Sequence, residues 1–83
     1  MTYYTDTLKL LKQIQVDQTG QDQINRFIQE AQNFANLYTN ATQSLKDDFI
    51  IYYASAKFLK NNNLSDPCIS DTLMNLYLKL IQS

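Results

Sequence analysis

The sequence predicts an all-α protein, an antiparallel up-down four-helix bundle forming a single domain over residues 1–83. Three observations carry this expectation. Apolar residues recur three and four positions apart in four stretches, the spacing that lines one side of a helix. The only glycine and the only proline fall where those stretches are interrupted, as backbone punctuation should. The connectors run to about four to six residues, too short to cross a bundle, so successive helices should lie side by side and antiparallel.

The first helix is expected over about residues 3–16, with Tyr4, Leu8 and Leu11 on one side, flanked by Leu10 and Ile14. Asp17-Gln18-Thr19-Gly20 interrupts it. Gly20 reads there as a turn residue valued for its backbone freedom, and Thr19 as the cap of the next helix, with Asp22 in that helix's positive first turn. The second helix, about 20–38, has the cleanest pattern. Ile24, Phe27, Ile28, Ala31, Phe34, Ala35 and Tyr38 fall on one arc, and Asp22, Arg26 and Glu30 lie four apart on the solvated side.

Thr39–Gln43 is a polar connector, and Ser44 reads as the cap of a third helix over about 45–60. The run Phe49-Ile50-Ile51-Tyr52-Tyr53 has strand-like residue types, but a pattern of about 16 residues without Gly or Pro, and without a second strand candidate to pair with, favours a helix. Asn61–Asn63 form the last turn. The fourth helix, about 66–82, starts at Leu64-Ser65-Asp66-Pro67 in one of two registers: Ser65 as cap, with Leu64 and Ile69 as a hydrophobic staple, or Asp66 as cap, with Pro67 at the first helical position. Ile69, Leu73, Leu76, Tyr77 and Leu80 build its apolar side.

Two helices carry more apolar surface than one buried side requires. The third places Leu45, Phe49, Tyr52, Ala56 and Leu59 on one side and Ile50, Ile51, Ala54 and Phe58 opposite; the fourth extends its arc through Met74, Leu78 and Ile81. Either the third helix lies centrally and touches all the others, or some of Ile51, Phe58, Met74, Leu78 and Ile81 stays exposed as a contact patch for another protein, a membrane surface or a second copy. Lys57, Lys60 and Lys79 sit near helix ends, where they stabilise the negative C-terminus of a helix or meet an acidic partner or lipid headgroups.

Chemistry is sparse. The chain has no histidine and one cysteine, which removes the commonest general base and the commonest metal ligand and forbids an internal disulfide. No serine has a histidine to activate it, and the lysine nearest Ser55, Lys57, points to another side of the helix. Asp47–Asp48 and Asp66–Asp71 lack the spacing of a catalytic pair or a calcium loop. One glycine cannot build a phosphate cradle. Cys68, in the first turn of the fourth helix, reads as a partly buried, inert thiol. Seven basic and eight acidic residues are interspersed, leaving no cationic stripe for nucleic acid. The expectation is a non-enzymatic protein without cofactor or metal, binding no nucleic acid. The start of the chain lacks the pattern of a secretory signal, and the free cysteine suits a reducing compartment, so a cytoplasmic location is expected.

The order and proportions of the helices resemble those of the class IIa bacteriocin immunity proteins of the enterocin A group. The short first helix Leu8-Lys9-Leu10-Leu11-Lys12-Gln13-Ile14 is similar, as is the passage from Leu45 through Tyr52-Tyr53 to Phe58, with its lysine before the helix end and the turn onward to Leu64-Ser65. The resemblance implies a cytoplasmic four-helix bundle that protects a bacteriocin producer from its own pore-forming peptide. It implies action at the inner face of the membrane, on the complex of the peptide with its mannose-transporter receptor, with specificity in the C-terminal half. In this chain that half contains Lys57, Lys60, Asn62, Lys79 and Gln82. The competing reading is a small regulatory or phage-encoded helical adaptor that acts through dimerisation or protein binding.

Overall fold

The computed structural model describes residues 3–12 and 14–83 and contains, among them, four α-helices and no strand. They are α1 (Tyr3–Leu11), α2 (Gln18–Ala35), α3 (Gln43–Asn61) and α4 (Pro67–Ile81). Together they form a four-helix bundle of 36 × 23 × 19 Å. The side chains at the helix ends show the directions. Tyr3 Oη donates to Asp47 Oδ1 at 2.6 Å, so α1 and α3 start together. Asn62 Nδ2 reaches Gln23 Oε1 at 3.5 Å while Phe34 meets Phe49, so α2 and α3 are antiparallel.

The third helix packs extensively against α1, α2 and α4, whereas the other helices touch one another only sparsely. Its two apolar sides are thereby explained: Phe49, Ile50, Ala54, Phe58 and Leu59 are all buried. Small side chains let the helices approach closely. Ala31 and Ala35 of α2 and Ala54 and Ser55 of α3 have no exposed surface. Two buried hydroxyls satisfy themselves within their own helices, Thr7 donating to the Tyr3 carbonyl at 2.7 Å and Ser55 to the Ile51 carbonyl at 2.8 Å. Among the described residues no buried side-chain polar atom lacks a partner.

Several helix ends differ from expectation, each for a local reason. The first helix stops at Leu11, five residues before the expected end, because Lys12 adopts a left-handed conformation (φ 59°) and its N–H bonds the Leu8 carbonyl at 3.0 Å. Gln13, which the sequence places inside this helix, lies outside the described residues. Beyond it Ile14 and Val16 are half-buried against the core while Gln15 and Asp17 are exposed, a period of two that belongs to extended chain and not to helix. The cap of α2 is Asp17, not Thr19: its carboxylate accepts the Gly20 N–H at 2.8 Å. The cap of α3 is Thr42, not Ser44, its hydroxyl accepting the Leu45 N–H at 3.2 Å. In both cases the acceptor lies two residues nearer the connector than expected, so the helix begins earlier. Past Ala35, Leu37 and Tyr38 donate to carbonyls three residues back, tightening the chain out of the α-helix before the expected end at 38.

The junction between α3 and α4 is closed on both sides. Asn63 is left-handed (φ 59°), the Leu64 N–H bonds the Leu59 carbonyl at 2.8 Å and the Asn63 N–H bonds that of Lys60 at 3.2 Å. This is the Schellman arrangement, in which asparagine tolerates the conformation that glycine usually supplies. Asp66 then caps α4, its Oδ1 accepting the N–H groups of Cys68 and Ile69 at 3.0 and 3.4 Å, with Pro67 first in the helix. Of the two registers open in the sequence, the second is the one formed.

Gly20 does not serve as a turn. It lies buried in the first turn of α2, and its φ is not positive. A Cβ there would sit 3.0 Å from Val16 Cγ1 and 3.2 Å from Phe58 Cε1, so the residue is a point of close approach between α2, the connector before it and α3. Gly20→Ala is therefore expected to lower the unfolding free energy by about 1 kcal/mol despite alanine's better helix propensity, because the Phe58 ring is buried and has little room to shift. Urea denaturation of the two proteins checks this. By the same method, Asn63→Val should cost about 1–2 kcal/mol and Asn63→Gly nothing, since only the β-branched side chain resists the left-handed backbone.

Candidate binding surface

The fourth helix is covered on one side only. Ile69 and Leu80 are buried and Leu73 and Leu76 are half-buried against the core, but Met74, Tyr77, Leu78 and Ile81 are exposed, Met74 by 58% and the others by about two-fifths. These four fall at i, i+3, i+4 and i+7, a continuous apolar stripe along the outside of the helix.

The stripe borders a groove of ≈430 Å³. Phe49 and Tyr53 of α3 form its floor, Phe34 of α2 one wall, and Leu73, Met74 and Tyr77 of α4 the other. The aromatic rings brace one another. Phe34 lies 5.5 Å from Phe49, 5.3 Å from Tyr38 and 5.8 Å from Tyr77, stacked on the last at 20° between planes, and Phe49 lies 5.7 Å from Tyr53. A second cavity of ≈310 Å³ adjoins the first across Tyr53, Ser70 and Leu73 and runs to the α3–α4 junction, where Lys57 and Lys60 line it. The Lys57 ammonium stands 5.7 Å from the Tyr53 ring centre and 5.9 Å from that of Phe27, within cation–π range.

The residues expected to form a contact patch are divided by the structure. Phe58 is 3% exposed and belongs to the core, which corrects its place in the patch: the central position of α3 buries both of that helix's apolar sides. Ile51 is half-buried, with its carbonyl accepting from Ser55. Met74 and Leu78 share the exposed stripe, and Lys57 and Lys60 come together at the end of the groove. Lys79 is exposed but lies about 140° around α4 from Met74, off the stripe. Asn62 terminates α3, its Nδ2 donating to the Phe58 carbonyl at 2.8 Å and its N–H to carbonyls of the last turn, while Gln82 ends α4 with its N–H on the Leu78 carbonyl at 3.2 Å. Both are helix-end residues with exposed surface. In the sequence the groove aromatics Phe34, Phe49 and Tyr77 read as core, while Tyr53 fits either a core or a contact role, since a tyrosine can bury its ring and keep its hydroxyl wet. A further signal of another role is the placement of Tyr77 between the main arc of α4 and its surplus arc.

Among the described residues no group of three or more Asp, Glu, Cys or His side chains could hold a metal ion. Cys68 is exposed in the first turn of α4 and not partly buried as expected, because the apolar side of that helix is set by Ile69 and Leu80 and leaves position 68 facing outward. Two phenols are perturbed, both upward from 10.0. The hydrogen bond from Tyr3 to the Asp47 carboxylate, followed by burial and the charge of Asp47, keeps Tyr3 protonated; burial, followed by the charge of Glu30 beside it, does the same for Tyr53. A raised phenol pKa favours hydrogen-bond donation and opposes use as a nucleophile. No family model, curated protein or solved structure matches this chain.

Because both phenols hold their protons more firmly folded than unfolded, they contribute stability that is fully present below pH 10 and lost as the pH rises through their folded values. The unfolding free energy should therefore fall more steeply above pH 10 for the natural chain than for Tyr3→Phe/Tyr53→Phe, and the two slopes should agree at pH 6–8; denaturant titrations across that range check it.

Proposed function

We propose that this chain is a bacteriocin immunity protein that protects the producing cell by non-catalytic binding at the bacteriocin–receptor complex, on the cytoplasmic face of the membrane. The observation that carries the reading is the exposed stripe Met74–Tyr77–Leu78–Ile81, which gives a four-helix bundle with a buried central helix one apolar helix face to offer. Helix-in-groove recognition uses anchors at these four spacings. The helix order resembles that of the enterocin A immunity group, and the stripe lies in the C-terminal half, to which that resemblance assigns specificity. Among the described residues no helix is long and apolar enough to cross a membrane, and the reading needs none, because the receptor it invokes is itself embedded there.

Expression in a sensitive lactic-acid bacterium should raise tolerance to at least one class IIa bacteriocin. Met74→Asp/Leu78→Asp should abolish that protection without changing the helical circular dichroism or lowering the melting temperature by more than about 2 °C, because both side chains are exposed and surface changes cost little. Unchanged sensitivity across a panel of such bacteriocins would remove the reading. The same stripe favours one other reading, a helical adaptor that dimerises or caps a cellular protein. A persistent dimer at micromolar concentration in sedimentation, dispersed by the same double variant, would support it.

A further inference from the structure

The two adjoining cavities over α3 have an uneven chemistry. The larger is walled by aromatic and aliphatic side chains, and the smaller ends on Lys57 and Lys60, both exposed. Among the described residues neither lysine forms an ion pair: Lys57 rests on the faces of Tyr53 and Phe27, and no carboxylate lies within bonding reach of Lys60. One carboxylate, Asp66, also lines the smaller cavity, its Oδ1 turned to the Cys68 and Ile69 N–H groups at the start of α4, so the two lysines leave that rim with one net positive charge; Glu30 stands beside the Tyr53 hydroxyl. An apolar trough of ≈430 Å³ leading to a second of ≈310 Å³ with two unpaired ammonium groups at its rim is the complement of a molecule with an apolar tail and one anionic head.

We infer that this groove binds a single long-chain carboxylate: the alkyl chain lies along Phe49, Tyr53, Leu73 and Tyr77, and the carboxylate is held between the Lys57 and Lys60 ammonium groups. Charge complementarity with the two lysines, at the end of a trough with hydrocarbon walls, points to this occupant. A second copy, whose Asp71 borders its α4 stripe about 20° around the helix from Leu78, is the alternative occupant, and a micromolar dimer in sedimentation that dodecanoate does not disperse would overturn the inference in its favour. The inference rests on the groove and its lysines and not on the immunity reading; the two surfaces share Met74 and Tyr77, so Lys57→Glu/Lys60→Glu, which leaves the stripe intact, tells them apart.

The test is calorimetric and spectroscopic titration of the whole chain with octanoate, decanoate and dodecanoate, each below its micelle concentration, and with 1-dodecanol as the uncharged control. Affinity should rise along the acid series by up to about fourfold per added methylene. Amide resonances of Phe49, Tyr53, Leu73 and Tyr77 should shift. Lys57→Glu/Lys60→Glu should weaken dodecanoate at least tenfold and leave dodecanol unchanged, and Ser70→Phe, which fills the junction of the two cavities from an exposed position, should weaken both. The inference is overturned if the acids do not bind, if affinity is independent of chain length, or if the lysine reversal leaves dodecanoate unaffected. It is equally overturned if binding occurs only to vesicles of anionic phospholipid, which would make the surface a membrane contact and not a ligand groove.

Discussion

A helix that is apolar on two opposite sides has no orientation in which water can solvate it comfortably, and its neighbours must be arranged to cover both. In this chain that helix is α3. Phe49, Ile50, Ala54, Phe58 and Leu59 are all buried, and each large apolar side chain among them contributes about 1.5–3 kcal/mol by leaving water. The other helices contact α3 far more than each other, so the bundle is organised around a spine and not as a symmetric square. The details of approach follow from that. Gly20 is present because Phe58 comes within 3.2 Å of where its Cβ would be, and Ser55 turns its hydroxyl onto its own helix because it lies fully inside.

The same constraint leaves α4 with a free side. Three helices can surround a spine only by each giving it one face, and α4 has apolar residues on more than one. Ile69 and Leu80 are used against the core; Met74, Tyr77, Leu78 and Ile81 are not. Where α4 draws toward α2, Tyr77 stacks on Phe34, and the gap between the two helices over Phe49 and Tyr53 becomes the groove. Both candidate surfaces are therefore consequences of one packing arrangement, in which the rings that line the groove also pack α2, α3 and α4 against one another.

Much of this is legible in the residues because it is local. The buried face of α2 follows from spacing alone, and the pair Asp66-Pro67 carries its own start signal. Other features depend on partners distant in sequence. Nothing near Gly20 announces Phe58, so a glycine between helices reads as a turn. Ile14 and Val16 look like a continuing helix until Lys12 turns left-handed and their period proves to be two. Phe58 and Met74 both stand on surplus arcs, and only knowing which helix is central separates a core residue from an exposed one. The Thr42 and Asp17 caps escape a reading of the sequence for a smaller reason: several hydroxyl and carboxylate side chains compete within each connector, and the backbone geometry chooses among them.

The central position of α3 is tested most directly by native-state amide hydrogen exchange. The amides of Ala54, Ser55, Phe58 and Leu59 should exchange only through global unfolding, with opening free energies equal to that measured by denaturation, while those along the outer side of α4 exchange through a smaller, sub-global opening. Exchange from the middle of α3 by a sub-global route, or protection of α4 as strong as that of α3, would contradict a bundle built on the third helix.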